Sequence, residues 1–219
     1  MKSFIVPVLD SIAMICLWIP LLLVIIKKER AAAPWLICGF WIYINFSIMV
    51  VFIADRIQLP ELSKKKLTSF INFQNTMESI LMIGIVACCA QGKLLKKTAG
   101  LTALALAASL VTYTFINGIG VTRSLPMIAL SIVCNALFQL LWLYTQYNRL
   151  RHSFSDKFFL LQNMAFIFHC GAFIIPGICF YILHYAPVED LVILGDTGTL
   201  SALAISVFGM ARYLPLKTG

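Results

Sequence analysis

Charge is scarce in this chain. Of 219 residues, 12% are Asp, Glu, Lys or Arg, while 61% are hydrophobic; a soluble domain usually carries about twice that charged fraction. A water-soluble fold of this length has no single core large enough to hide so much apolar surface, so lipid must act as solvent for much of it. Catalytic motifs are scarce too. No C-x-x-C occurs among Cys16, Cys38, Cys88, Cys89, Cys134, Cys170 and Cys179, which removes the spacing of zinc knuckles and of thioredoxin-like redox sites. All seven lie in apolar runs, where a reduced cysteine behaves as a small hydrophobe. No G-x-S-x-G is present for a serine hydrolase. Three histidines do not compose a metal-ligand pattern, and the expectation is no cofactor and no metal.

Basic residues outnumber acids, for a net charge of +8. They form short clusters between apolar runs: Lys27, Lys28 and Arg30; Lys64 to Lys66; Lys93, Lys96 and Lys97; Arg149 and Arg151. No basic face is interleaved with aromatics, so nucleic acid is not an expected partner. Such clusters suit membrane flanks that meet lipid headgroups.

A helix needs about 20 apolar residues to cross the bilayer core. Seven segments qualify, at residues 4–26, 33–54, 67–90, 101–119, 127–147, 160–183 and 191–213. The predicted fold class is all-α: a polytopic membrane bundle of about seven helices, forming one transmembrane domain over residues 1–219. The first segment does not read as a cleaved secretion signal. Its apolar stretch is too long, and it runs into Lys27-Lys28-Glu29-Arg30 without a small-residue cleavage site. The connections are short, which leaves no expected soluble module for catalysis or nucleotide binding. Loop charge favours an outside N-terminus and a cytoplasmic C-terminus, because this places the clusters at Lys27, Lys93 and Arg149 inside; Lys64 to Lys66 argue the other way. Tyr147 and Tyr185, near segment ends, fit an interfacial aromatic belt.

Segments one to three and five to seven have similar lengths and spacing. A shift of 121 places Asn75-Thr76 on Asp196-Thr197, and a shift near 125 brings Asp10 close to Asn135. This raises a three-plus-one-plus-three plan of parallel repeats, as in some transporters. Chance similarity among hydrophobic helices is the competing reading.

Ionisable groups in hydrocarbon are costly unless paired or hydrated, so each marks a candidate site. Three acids lie inside the apolar segments: Asp10, Glu78 and Asp196. With the N-terminus outside, Asp10 and Asp196 fall in the outer half and Glu78 near the midplane, a depth pattern that predicts one cavity opening outward. The third segment carries the densest polar set, Asn72, Gln74, Asn75, Thr76, Glu78 and Ser79. Gln74 and Glu78 are four apart and Asn75 and Glu78 three apart, so they share a helix face. An acid with two amides suits hydrogen bonding to a polar ligand, a cation or a proton path; the alternative is a polar seam satisfied by neighbouring helices.

In the last segment Asp196 and Thr199 share a face, and Gly198, Ala202 and Ser206 form a small-residue ridge on which another helix can pack closely. Asp196 itself reads either as a site residue or as a helix cap. The sixth segment holds Gln162, Asn163 and His169, then Pro176-Gly177, with His184 at its edge. Pro176 removes a backbone donor and can free a carbonyl. His169 near the midplane suits proton relay or a structural hydrogen bond. Asn45, Asn117, Asn135 and Gln139 are neutral amides of the kind that join helices.

Seven helices with an outside N-terminus resemble microbial rhodopsins in plan, but residues 191–213 contain no lysine and a retinal Schiff base is excluded. Asp10 with Pro20, Pro34-Trp35, Asn75 and Asp196 loosely resemble the pattern of SWEET-type sugar transporters. No Pro-Gln pair occurs and the fifth segment lacks the matching proline, so membership does not follow. Membrane hydrolases of the ceramidase kind need more histidines than His169 and His184 supply. The expected function is a small-molecule transporter or permease. Its ligand-binding groups are Asp10, Gln74, Asn75, Glu78, Asn135, His169 and Asp196, with Glu78 the proton- or cation-responsive one. The expected partners are the lipid bilayer and a small polar or cationic solute. A membrane sensor or accessory subunit acting through a protein partner, and a membrane-embedded lipid-modifying enzyme, are the alternatives.

Overall fold

The computed structural model describes residues 2–56, 61–117, 125–147, 154–181 and 188–214. Among them helix is the only regular structure, in the order α1 (Lys2–Cys16), α2 (Ile19–Ile26), α3 (Ala32–Arg56), α4 (Glu61–Cys89), α5 (Lys93–Asn117), α6 (Leu125–Tyr147), α7 (Phe154–Tyr181) and α8 (Val188–Tyr213). Each predicted segment is helical, the first being divided into α1 and α2. Several helices start earlier than hydropathy suggests. Lys93, Lys96 and Lys97 open α5, because lysine is a good helix former even where it is a poor membrane residue. Residues 118, 119, 182 and 183 of the predicted segments lie outside the described residues, as do Arg123, Arg149, Arg151, His184, Tyr185 and Lys217.

Five stretches are long and apolar enough to cross a membrane: Pro7–Ile26, Ala32–Val50, Lys93–Ile116, Ile128–Tyr147 and Ile193–Tyr213; Phe73–Cys89 in α4 is a shorter apolar stretch. Their large apolar side chains face outward, Phe115 being 92% and Ile15 73% exposed. Contiguous apolar surface of this kind is a liability in water and is at home against lipid tails. The chain is an all-α, multi-pass membrane protein.

The break between α1 and α2 has a local cause. Pro20 lacks the N–H that would bond back to the Cys16 carbonyl, and its ring crowds that carbonyl, so the helix restarts after Leu17 and Trp18 with Pro20 in its first turn. Pro7 sits inside α1, where its own carbonyl accepts a 2.7 Å bond from the Ser11 hydroxyl.

The helices group into two compact units: Met1–Ile48 with Leu143–Gly219, and Met49–Trp142. The grouping joins α1 and α2 to α7 and α8, and therefore does not follow three-plus-one-plus-three boundaries. In the first unit α8 packs on α1, α2 and α7, around buried Leu17, Ile37, Phe40, Trp41, Phe166 and Met210. The small-residue ridge makes the α7–α8 approach close. A methyl group at Gly198 would lie 2.6 Å from the Ala172 Cβ, and one at Gly209 would lie 2.8 Å from Gln162 Nε2. The second unit packs α4 on α5, with Met82, Ile83, Val86, Ala99 and Trp142 buried.

The turn from α2 to α3 is built from charged residues turned inward. Lys28 N–H bonds to the Ile25 carbonyl and Glu29 N–H to the Val24 carbonyl, the double bond of a Schellman helix ending. Lys28 occupies the left-handed position, φ 49°, where glycine is the usual residue. Lys27 is buried and donates to the carbonyls of Ala211 at 2.5 Å and Leu214 at 2.6 Å. A cation on the last carbonyls of α8 complements that helix's dipole, while burial lowers the Lys27 pKa from its ordinary value. The left-handed conformation costs a side-chain-bearing residue about 1 kcal/mol, so Lys28→Gly is expected to stabilise the protein by roughly that amount. Lys28→Val should destabilise it, and thermal unfolding in detergent measures both.

Candidate functional site

The proposed site residues fall into two sets, one in each unit. In the first unit they lie on α1, α7 and α8. His169 on α7 is fully buried, and its Nδ1 is 3.2 Å from the Thr199 hydroxyl of α8. Two rings pack edge-on to the imidazole, Phe40 at 5.6 Å and Trp41 at 5.7 Å between centroids, and Phe166 packs in turn on Phe40 at 5.1 Å. Thr199 lies three residues after Asp196, so the two share a face of α8. Asp196 is within electrostatic reach of Asp10 on α1, the helix packed beside it. Asp10, Asp196 and, through Thr199, His169 thus form one polar line across three helices. Asp196 Oδ2 is buried without a hydrogen-bond partner among the described residues. The capping reading of Asp196 is overturned, because α8 begins at Val188 and Asp196 sits more than two turns inside it.

Two adjacent amides of α7 have opposite fates. Gln162 is fully engaged: its Nε2 donates to the Ser206 carbonyl at 3.0 Å, and its Oε1 accepts from the Ser206 hydroxyl at 2.5 Å. That hydroxyl in turn accepts the Trp41 indole N–H at 2.9 Å. This network ties α3, α7 and α8 together and is structural. Asn163 is equally buried, yet neither its Nδ2 nor its Oδ1 has a partner among the described residues. A buried amide with both ends unmet is rare and needs a reason, such as a water or a ligand. Asn45 behaves as interhelical glue, donating to the Met14 carbonyl at 3.0 Å.

In the second unit Gln74, Glu78 and Met82 stand at four-residue spacing along one buried stripe of α4. Opposite Met82, α6 presents two amides. Asn135 Nδ2 lies 3.0 Å from the Met82 sulfur, while Gln139 Nε2 reaches the Met82 carbonyl at 3.4 Å and Asn135 Oδ1 at 3.2 Å. Glu78 is one helical turn from this contact, so the structure brings Glu78, Gln74 and Asn135 onto facing helices. Gln139 Oε1 is buried without a hydrogen-bond partner among the described residues. Asn75 is half-buried beside the stripe, and its carbonyl accepts the Ser79 hydroxyl at 3.2 Å.

Sequence reading missed the rings around His169 and the part played by Met82. The ring set has a retrospective signal, since Gln162, Phe166 and His169 recur at helical spacing. Met82 carries no such signal, as a thioether among apolar residues looks like ordinary core. Among the described residues no three His, Cys, Asp or Glu side chains gather as a metal-ligand set. The chain matches no protein-family model, no curated protein and no solved structure.

Proposed function

We propose that this protein is a membrane transporter or permease for a small polar or cationic solute. Asn163 supports this reading most strongly: a buried amide with no partner for its donor or its acceptor among the described residues, inside a membrane protein, is a costly feature to keep for packing alone. In the same unit, His169, Thr199, Asp196 and Asp10 offer donors, acceptors and negative charge to a solute or cation. In the proposal, this set orients the solute. Glu78, with Gln74, Asn75 and Asn135, responds to a proton or cation. An outside N-terminus and a cytoplasmic C-terminus belong to the same proposal, because that orientation keeps most basic clusters inside.

The test is flux by the purified chain in sealed vesicles, over a panel of sugars, amino acids, amines and monovalent cations. At least one solute is expected to move, and Glu78→Gln is expected to slow it about 10- to 100-fold, the effect of losing a hydrogen bond to a charged group. Binding without flux for any solute would instead identify a sensor or accessory subunit. Conversion of lipid in detergent would identify an enzyme.

A further inference from the structure

Lys28, Arg30 and Arg212 are exposed, and among the described residues no ion pair neutralises any of them. They belong to one end of the first unit. Lys27, next to Lys28, bonds to the carbonyl of Ala211, next to Arg212, which fixes the α2–α3 turn against the last turn of α8. The carboxylate of this turn is engaged by backbone. Glu29 is buried, and its Oε1 accepts the backbone N–H groups of Arg30 and Ala31, each at 2.8 Å. Three cations are thus exposed at this end, with no ion pair to any of them among the described residues. Directly beside them the apolar surface begins, with Ile25 53% and Ile26 65% exposed. Trp35, half-exposed, donates its indole N–H to the Glu29 carbonyl at 2.9 Å. An indole with its polar edge on a charged turn and its body beside apolar residues sits as interfacial tryptophans do, at headgroup depth.

We propose that this turn and the end of α8 form a binding site for the headgroup of an anionic phospholipid. Lys28, Arg30 and Arg212 would hold the phosphate, and the acyl chains would lie along Ile25 and Ile26. The occupant is a lipid and not a free anion because the cations border an apolar band that a soluble phosphate would leave uncovered. Lys27 is not a ligand, since it is buried and holds two carbonyls at the end of α8; it is the residue that positions the site.

Quenching of Trp35 by brominated lipid tests this. In a Trp18→Phe background the other two tryptophans, Trp41 and Trp142, are buried, which leaves Trp35 as the exposed reporter. In phosphatidylcholine vesicles, brominated phosphatidylglycerol is expected to quench Trp35 at a mole fraction roughly tenfold lower than brominated phosphatidylcholine does. Added salt should reduce that preference. Lys28→Gln, Arg30→Gln and Arg212→Gln together should abolish it with the helical spectrum unchanged, since all three side chains are exposed and have no ion pair among the described residues. The charge-keeping set Lys28→Arg, Arg30→Lys and Arg212→Lys should retain it, and Arg212→Gln alone should weaken it even if the triple variant does not fold. Equal quenching by the two lipids, or a preference that survives Arg212→Gln undiminished, overturns the proposal. Displacement by millimolar inorganic phosphate would also overturn it, by making the site one for a free anion.

Discussion

Asn163→Leu is expected to give a protein that is more stable and binds its solute about 10- to 100-fold more weakly. Asn163 is wholly buried, with both side-chain polar atoms unpartnered among the described residues. With no protein partner there, the amide must hold ordered water in the apo protein, at a cost of up to about 2 kcal/mol per water. Leucine has a similar size and needs no such water, so the apo protein should gain up to roughly 8 °C in thermal midpoint. If the amide exists to meet a solute, the same change deletes a donor and an acceptor from the bound state, and affinity should fall about 10- to 100-fold. The neighbouring Gln162→Leu should behave in the opposite way. It breaks the bonds with Ser206 and strands the Ser206 hydroxyl, so stability should drop. Thermal unfolding and solute binding on the two variants separate a functional amide from a structural one.

The second large effect concerns the contact between α7 and α8. A Cβ at Gly198 would sit 2.6 Å from the Cβ and 3.3 Å from the Cα of Ala172, and neither neighbour is the movable end of a long side chain. Gly198→Ala therefore forces the helices apart, at an expected cost of about 1–3 kcal/mol, with Gly198→Leu failing to fold. Ala172→Gly removes the nearer atom. It should restore much of the stability of Gly198→Ala while costing a little by itself, a non-additivity that a double-mutant cycle reads directly. If the two changes add, the close approach of these helices is not what α8 needs its glycine for.

The helices were legible in the sequence because membrane-length apolar runs carry their own boundaries. Basic clusters and prolines mark where lipid ends. The subdivision into α1 and α2 was written in Pro20, but a hydropathy reading averages over a single residue. The grouping of helices was not legible. Parallel repeats were suggested by the spacing of Asn75 and Asp196 alone, whereas the packing of α8 on α7 rests on small residues that let the two helices meet. The polar residues show a similar division. Acids inside apolar runs declare themselves through desolvation cost, so Asp10, Glu78 and Asp196 could be named from sequence. Gln162 and Asn163 could not be told apart, because their difference lies in what faces them and not in what they are. Whether Asp196 capped a helix depended on where α8 starts, and the early start at Val188 decided it.

An Asn163 kept for function meets water or solute, and not protein, with its buried amide. Water-edited solid-state NMR of the chain in bilayers, with the side-chain amides of Asn163 and Gln162 resolved, measures this directly. Fast magnetisation transfer from water to Asn163 Nδ2, and little to Gln162 Nε2, is the predicted result. Two equally dry amides would contradict it.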